Sequence, residues 1–292
     1  MADSTIPTVD LFPFFGKGPS DENRQRKEEA MEVIRRACSE YGFFQIVNHG
    51  EPVELMGQTL ELSRAFFECS NEEKLKSTPS SGAPLPAGYS KQPDHSPDKN
   101  EYLLMFTPGS SFNVCPKNPP ELRYSLSCSL LEDILNECLG LPPKFLKNYN
   151  ADRSWDFMDD VGGLEVRKSG ERIPVIPRQG HIVVNLVDVI QLDLTFLLIY
   201  NHEGVDKFRS ATHRVMRSKD RCRHSYAFFY NLQADNLVEP LPQFTSDIGE
   251  QPKYWGFLYK EYQPLRLRNK THPPSRPEDV IHITHYAIPT AL

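Results

Sequence analysis

The sequence predicts an α+β protein, mainly β, in which a helical N-terminal region precedes a sandwich or jelly roll. Three observations indicate this class. Apolar residues recur at three- and four-residue steps in the first half of the chain, as in amphipathic helices, and from about Gly163 the period changes to two, as in strands. The 292 residues include 25 prolines and 16 glycines, which favours many rigid turns. Short strands joined by turns favour a sandwich or jelly roll over βαβ units.

Three helices are predicted before the strands, over residues 21–41, 53–67 and 122–139. Asp21 is expected to cap the first helix, and a Gly-Leu-Pro-Pro signal ends the third. The residues expected to face the core are Ala30, Ile34, Ala37 and Tyr41 in the first helix and Met56, Leu60 and Phe67 in the second. The Pro-, Ser- and Gly-rich stretch 77–96 is predicted to be a surface loop.

Short strands are expected in the second half of the chain, at 163–166, 173–176, 181–190, 211–217 and 223–232. The first two are predicted to form a hairpin that is closed by the turn Lys168-Ser169-Gly170.

Charge and composition restrict the class of partner. The 33 Lys and Arg against 39 Asp and Glu give a formal net charge of −6, so no overall basic field attracts nucleic acid or an anionic membrane. The longest uncharged apolar stretch is far below the roughly 18 residues that a membrane helix needs. The N-terminus shows neither a signal-peptide nor a transit-peptide pattern. We therefore expect a cytoplasmic, monomeric protein that acts on a small molecule.

The six cysteines contain no C-x-x-C pair. Their even number permits a disulfide framework, but free and mostly buried thiols are favoured in a chain without a secretory pattern. A structural zinc site is not expected.

Three odd-numbered residues on two predicted strands can share the inner face of a sandwich: His213, Arg223 and Ser225. An inward arginine is costly unless an anion meets it, and its planar fork suits a carboxylate. The Ser225 hydroxyl would add a donor from the same side. The pattern indicates a site for an organic acid.

Plainer interpretations of the same residues stay open on spacing alone. Arg223 can belong to a solvated basic turn together with Arg221 and His224. His213 can be a hydrogen-bonded structural residue, as single histidines on strands usually are.

Several stretches narrow these alternatives: YGFFQIVNHG at 41–50, GGLEV at 162–166, GHIVVN at 180–185, KFRSATHRV at 207–215 and RHSYAFFY at 223–230. In combination they resemble the plant iron(II)/2-oxoglutarate-dependent dioxygenases, an isopenicillin N synthase-like family that includes flavanone, flavonol and gibberellin oxidases. The resemblance implies a distorted double-stranded β-helix, or jelly roll, with Fe(II), 2-oxoglutarate and ascorbate as cofactors and O₂ as the oxidant. It further implies that the substrate is a specialised metabolite or a hormone.

The resemblance also assigns residues and regions. His213 corresponds to the distal metal ligand, and Arg223 and Ser225 correspond to the clamp for the far carboxylate of 2-oxoglutarate. The implied regions are an N-terminal dioxygenase-type region over 1–115, a connecting helix over 116–150, the jelly-roll domain over 151–270 and a C-terminal tail over 271–292.

One part of the family pattern is not found. The His-x-Asp pair that completes the metal site should lie upstream of GGLEV, but Met158 runs directly into Asp159 and the GG that follows. We therefore predict an incomplete jelly roll that lacks core strands near residue 158, a few tens of residues by comparison with the family. Such a chain is expected to be less stable and to bind iron weakly.

Substitutes for the pair are scarce. The only His-x-acid sequence is His49-Gly50-Glu51, in the stretch that matches the N-terminal strand and turn of the family, so it is not expected to bind metal. His202 and Asp206 are ligands by type, but they lie in an apparent insertion over 192–206.

Two hypotheses of function follow. The first is an Fe(II)- and 2-oxoglutarate-dependent oxidoreductase that acts on a small metabolite or hormone. The second is a catalytically impaired member of the family, either a binding or decoy protein or the product of an aberrant transcript or gene model. The sequence leaves open which of the two this chain is.

Overall fold

The computed structural model describes the residues that build most of the N-terminal half and several strands of the C-terminal half. They are residues 5–15, 21–80, 87–91, 101–105, 114–119, 134, 137–138, 163–186, 211–216, 224–225, 235–239, 251, 254–271, 274, 276, 279–281 and 283–289.

The helices are α1 (Asp21–Glu40), α2 (Val53–Glu68), α3 (Asn71–Leu75) and α4 (Tyr259–Thr271), with short 3₁₀ helices at Phe12–Phe14 and Ile283–Tyr286. The strands are β1 (Thr8–Asp10), β2 (Phe43–Val47), β3 (Gly88–Lys91), β4 (Glu101–Leu104), β5 (Leu164–Lys168), β6 (Glu171–Pro174), β7 (Ile182–Asn185), β8 (His213–Val215), β9 (Leu237–Val238) and β10 (Phe257–Leu258). Among the described helices, none is long and apolar enough to cross a membrane.

Two three-stranded sheets position the candidate site. In the first, β2 lies between a parallel β1 and an antiparallel β7. In the second, β5 lies between β6 and β8, both antiparallel to it. Two further pairs, β3 with β4 and β9 with β10, are antiparallel hairpin-like ladders.

Strand β2 is the centre of the packing because it is covered on both faces. Alternate side chains of a strand point to opposite faces. Phe44 and Ile46 belong to the helix-side core, whereas Phe43 belongs to the strand-side core. The helix-side core is formed by Val9, Leu11, Met31, Ile34, Ala37, Cys38, Phe44, Ile46, Ile134, Cys138, Val184 and Leu186. The strand-side core is formed by Ile6, Phe43, Val166, Ile173, Val175 and Ala211.

Helix α1 confirms the predicted position, but its buried face differs in part. Asp21 is the first helical residue. The buried residues of the helix are Met31, Ile34, Ala37 and Cys38. Ala30 and Tyr41 are only half-buried. The helix ends at Glu40. Two residues later, Gly42 has a φ of 66° and donates its N–H to the Ala37 carbonyl, which turns the chain into β2.

Helix α2 has a buried face that the apolar pattern did not identify. Its buried residues are Met56, Thr59, Ser63 and Phe66, whereas the expected Leu60 and Phe67 are half-buried. Two hydroxyl residues can lie in this face because a helical hydroxyl can bond to a carbonyl one turn earlier, as Thr59 does to Leu55 at 2.9 Å.

The surface loop predicted over 77–96 is wrong for part of its length. Ser77 is buried, and residues 88–91 form β3, which pairs with β4. The ring of Tyr89 anchors this strand against Phe66 at a centroid distance of 5.9 Å. Residues 81–86 and 92–96 lie outside the described part of the chain.

The predicted hairpin over 163–176 is confirmed. Lys168 pairs with Glu171, which leaves a two-residue loop of Ser169 and Gly170 with φ of 49° and 90°. Positive φ at both positions is the type I′ geometry that matches the twist of the flanking strands. The predicted strand 181–190 is β7 where described, and 211–217 contains β8.

Other predictions fall on residues that are not described. Most of the third helix does, although Ile134, Glu137 and Cys138 are helical. The same holds for residues 151–162, where core strands were predicted to be missing. It also holds for most of the predicted strand over 223–232. Of the six cysteines, four are described, and all four are free thiols as predicted: Cys38, Cys69, Cys115 and Cys138.

Candidate metal and co-substrate site

His213 begins β8 and faces the strand-side core. It lies directly opposite Val166 of β5, a residue with 0% exposure, and residues opposite each other in a ladder share a face. Its imidazole makes an edge contact with the ring of Phe43 at a centroid distance of 5.2 Å. Arg223, the second of the three residues expected to share an inner face, lies outside the described residues, so that arrangement stays a prediction.

The exposure of His213 differs from that of an ordinary core residue. All three residues of β8 are exposed, although Ala211, just before the strand, is buried. His213 therefore contacts the Phe43 ring and is exposed at the same time.

One hydrogen bond fixes the chemical form of His213. Its Nδ1 lies 3.0 Å from the Ala211 carbonyl oxygen. A carbonyl only accepts, so Nδ1 donates, and Nε2 of the neutral ring keeps its lone pair. Metal-binding histidines are oriented by the same kind of bond from the other ring nitrogen. A neutral ring held in this way can offer the lone pair of Nε2 to a ligand.

The co-substrate pair is described only in part. Ser225 is half-buried, and Arg223 lies outside the described residues. His224, between them, is half-buried and contacts the ring of Phe67 at 6.1 Å. This ring contact places His224 beside helix α2.

The described residues fit an iron site only in part. They contain no group of three or more His, Cys, Asp or Glu side chains that could hold a metal ion. His213 supplies one nitrogen, whereas a three-point site of the 2-His-1-carboxylate type needs a second imidazole and a carboxylate. Those two donors would have to come from residues outside the described ranges, where His202 and Asp206 also lie.

His49 is a structural residue, as the sequence predicted. Its Nδ1 accepts from the Glu51 backbone N–H at 3.2 Å, and its Nε2 lies 3.2 Å from the Gly180 carbonyl oxygen. Both nitrogens are thus used by the backbone, and none is left for a metal. The turn that holds it has positive φ at Asn48 and Gly50, 50° and 85°.

A neighbouring polar network joins β2 to the segment before β7. Gln45, buried in the middle of β2, donates from Nε2 to the Ile176 carbonyl at 3.0 Å and accepts from His181 Nδ1 at 2.9 Å. Burial, followed by the charges of Arg178 and His49, lowers the pKa of His181 below its ordinary value.

Asn185 is the residue of this region that the sequence pattern did not single out. Its Oδ1 is buried and has no hydrogen-bond partner among the described residues. It is the last residue of β7, and it lies opposite Phe43 in the ladder with β2. Alternation along the strand from His181 could have placed Asn185 on the same side as His213. No pattern in the sequence, however, shows that the Asn185 oxygen lacks a partner.

Two family models match the chain. The model described as non-haem dioxygenase in morphine synthesis N-terminal matches residues 6–120, and that of the 2OG-Fe(II) oxygenase superfamily matches residues 154–232. The second match contains His213 and both clamp residues.

Curated plant proteins are similar over most of their length. An apple (Malus domestica) 1-aminocyclopropane-1-carboxylate oxidase 1 is 27% identical over 90% of this chain and 91% of its own. A rice 2-oxoglutarate-dependent dioxygenase 19 is 24% identical over 97% of this chain and 91% of the rice protein. A soybean (Glycine max) homoarginine-6-hydroxylase is 25% identical over 89% of this chain and 95% of the soybean protein.

Solved structures share the fold. JOX2 in complex with 2OG, Fe and JA superposes with a TM-score of 0.73 at 23% identity, over 98% of this chain and 90% of that one. The rice dioxygenase for auxin oxidation gives a TM-score of 0.70 at 22% identity, over 97% and 100%. The predicted jelly-roll class is thereby confirmed.

The alignments also bear on the predicted deletion. The match to the apple relative extends over 307 positions, more than the 292 residues of the chain, although it uses only 90% of them. The rice alignment extends over 327 positions in the same way. Each relative therefore has some tens of residues with no counterpart in this chain.

Proposed function

Because the chain belongs to the plant family of 2-oxoglutarate- and Fe(II)-dependent dioxygenases, we propose that it oxidises a small organic acid, a hormone or a specialised metabolite, with 2-oxoglutarate as co-substrate. One observation carries the proposal for this chain: His213 holds its Nδ1 on the Ala211 carbonyl at 3.0 Å, which leaves Nε2 for a metal.

Each of the three site residues has a proposed role. Nε2 of His213 would hold the metal. The guanidinium of Arg223 and the hydroxyl of Ser225 would bind the far carboxylate of 2-oxoglutarate, since a planar fork and a hydroxyl on one side provide three donors to one anion. Iron and 2-oxoglutarate, when bound, supply the oxidising power, with succinate and CO₂ as the products of the keto acid.

The substrate class is inferred from the relatives. The names of the apple and soybean proteins give 1-aminocyclopropane-1-carboxylate and homoarginine as substrates, and the solved neighbours include a complex with JA and an enzyme of auxin oxidation. These are small molecules of the hormone and amino-acid type. We extend this class to the present chain and propose that it is cytoplasmic and monomeric. The net charge of −6 argues against a nucleic-acid or anionic-membrane partner.

Succinate release tests the proposal. The protein is incubated with Fe(II), 2-oxoglutarate, ascorbate and a panel of 1-aminocyclopropane-1-carboxylate, homoarginine, auxin and jasmonate. We expect release that at least one panel member stimulates, and its loss in Arg223→Ala. The matched control is Arg214→Ala, because the Arg214 guanidinium pairs with Glu165 at the surface at 2.8 Å. Equal activity of both variants, or no release by the wild type, would contradict the proposal.

A second candidate function is a family member that binds ligands but does not turn them over. One observation favours it: the relatives have some tens of residues without a counterpart here. This candidate predicts that 2-oxoglutarate still raises the melting temperature of the protein, and that Arg223→Ala removes the rise, while no succinate forms. Sequencing the transcript across Met158 and Asp159 would show whether the short form is the natural one.

A further inference from the structure

The buried side-chain oxygen of Asn185 has no protein partner among the described residues. Its Oδ1 is excluded from solvent, and the structure gives it no hydrogen bond. Buried acceptors are satisfied in the great majority of cases, and an acceptor without a partner is destabilising, so each exception needs an explanation. A ligand that supplies the missing donor is one such explanation.

Two independent features place this oxygen on the side of His213. Asn185 lies opposite Phe43 in the ladder, and the Phe43 ring contacts the His213 imidazole at 5.2 Å. Its neighbours Val184 and Leu186 belong to the helix-side core, so alternation directs Asn185 to the other face. Asn185 and His213 therefore flank Phe43 on one side of the first sheet.

The chemistry of the oxygen selects its partner. A side-chain carbonyl only accepts a hydrogen bond. The two carboxylates and the keto oxygen of 2-oxoglutarate also only accept, so the co-substrate cannot satisfy Asn185. The partner must carry an N–H or O–H group.

We propose that Asn185 is a specificity-determining residue whose Oδ1 accepts a hydrogen bond from an amine or hydroxyl of the small-molecule substrate. This inference rests on the proposed function for the location of the site. It adds a substrate class: organic acids that carry an amine or hydroxyl group on the part of the molecule that binds beside His213.

A pair of ligands isolates the donor. The panel compound 1-aminocyclopropane-1-carboxylate carries an ammonium group, and cyclopropanecarboxylate is the same acid without it. Calorimetric affinities are measured for both in the presence of 2-oxoglutarate. We expect the wild type to prefer the amine by about tenfold or more, as a charge-assisted hydrogen bond would produce. Asn185→Leu should reduce the preference to less than twofold. Val183→Leu, on the same strand and face, is the steric control and should keep it.

Thermal unfolding separates this role from a structural one. Replacing an unsatisfied amide by a side chain of similar size removes a buried penalty, so Asn185→Leu should melt at the same temperature as the wild type or higher. A drop of several degrees would show that the amide makes structural bonds and would overturn the inference.

The outcomes also separate the inference from the oxygenase proposal. Succinate release without any amine preference in the wild type overturns the role of Asn185 and leaves the oxygenase intact. An amine preference that Asn185→Leu abolishes, without succinate release, supports Asn185 and contradicts turnover. Failure of the amine to bind, or a preference that persists in Asn185→Leu, overturns the inference.

Discussion

Three histidines of this chain differ in what their ring nitrogens contact. His49 uses both nitrogens on backbone groups, at Glu51 and Gly180. His181 is bonded to the buried Gln45 through Nδ1. His213 bonds through Nδ1 to the carbonyl of Ala211, just before its strand. The partners of the three rings differ, and the assignment of His213 to the metal site stays a prediction.

The lowered pKa of His181 makes stability depend on pH. Its pKa in the folded state lies below the ordinary 6.5, because of burial first and then Arg178 and His49. Between the two values the unfolded chain binds more protons than the folded one. The stability that the neutral ring contributes is therefore present above about pH 6.5 and is lost as the pH falls toward the folded pKa. Urea unfolding at steps from pH 7.5 to 5.5 should show this decline, and His181→Gln should make it shallower. An equal decline in the variant would refute the assignment.

Replacing either of two glycines by alanine should change the free energy of unfolding, but in opposite directions. Gly163 has φ of 137°, and a Cβ there would lie 2.7 Å from the Met216 carbonyl oxygen in the ladder between β5 and β8. Gly163→Ala should lower the free energy of unfolding by about 2 kcal/mol or more, as strained backbone and a clash would do.

Gly57 is the matched control. It lies within α2, and a Cβ there meets nothing within 4 Å. Gly57→Ala should raise the free energy of unfolding by about 0.5–1 kcal/mol, because alanine loses less entropy in a helix. Denaturant curves measure both variants, and a Gly163→Ala protein as stable as wild type would contradict the geometry.

At the scale of elements, a buried ion pair fastens α3 to β4. Lys74 has a side chain that is 6% exposed, and its Nζ lies 2.7 Å from Glu101 Oε2 and 3.2 Å from the Phe67 carbonyl. The ammonium also lies 5.7 Å from the centroid of the Tyr89 ring. Burial, and then Glu101, raises the pKa of Tyr89 to about 12, so this phenol stays neutral in the physiological range.

Removing one charge of this ion pair should lower the free energy of unfolding more than removing both charges. Glu101→Leu leaves the Lys74 charge buried without its partner, which typically costs about 3–5 kcal/mol. Lys74→Met combined with Glu101→Leu removes the charges together and should recover much of that loss. The exposed pair Lys260 and Asp235, at 2.7 Å, gives a control in which Asp235→Ala should leave the free energy of unfolding nearly unchanged. Additive losses in the double variant would contradict a coupled pair.

The elements that the sequence predicted are those with local causes. Helices α1 and α2 follow from periodicity, and the hairpin of β5 and β6 follows from the chemistry of Ser169 and Gly170. Strand β3 was missed because its ladder with β4 joins residues such as Gly88 and Leu104, which are distant in sequence. Pro- and Ser-rich neighbours concealed a short buried strand.

At the scale of the molecule, β2 connects the parts that the sequence assigns to different regions. Its Phe44 packs with α1 in the helix-side core, and its Phe43 packs with β5 in the strand-side core beside His213. The predicted region boundaries, 1–115 and 151–270, remain predictions.

The sequence predicts the residues of the candidate site but not their geometry. The roles of His213, Arg223 and Ser225 rest on the sequence motif and stay proposals; the structure adds the bond between His213 Nδ1 and the Ala211 carbonyl. Asn185 could not be found from the sequence because the lack of a partner arises only when strands distant in sequence pack together.

Metal binding tests the central claim most directly, namely that His213 is a metal ligand of an oxygenase site. Anaerobic equilibrium dialysis with Fe(II) and 2-oxoglutarate measures the iron bound per chain for the wild type, His213→Ala and the control His285→Ala, whose histidine is exposed near the C-terminus. We predict one iron per wild-type chain, the same in the control, and a loss of at least tenfold in affinity in His213→Ala, as removal of a ligand requires. No iron in the wild type, or equal binding by His213→Ala, would contradict it.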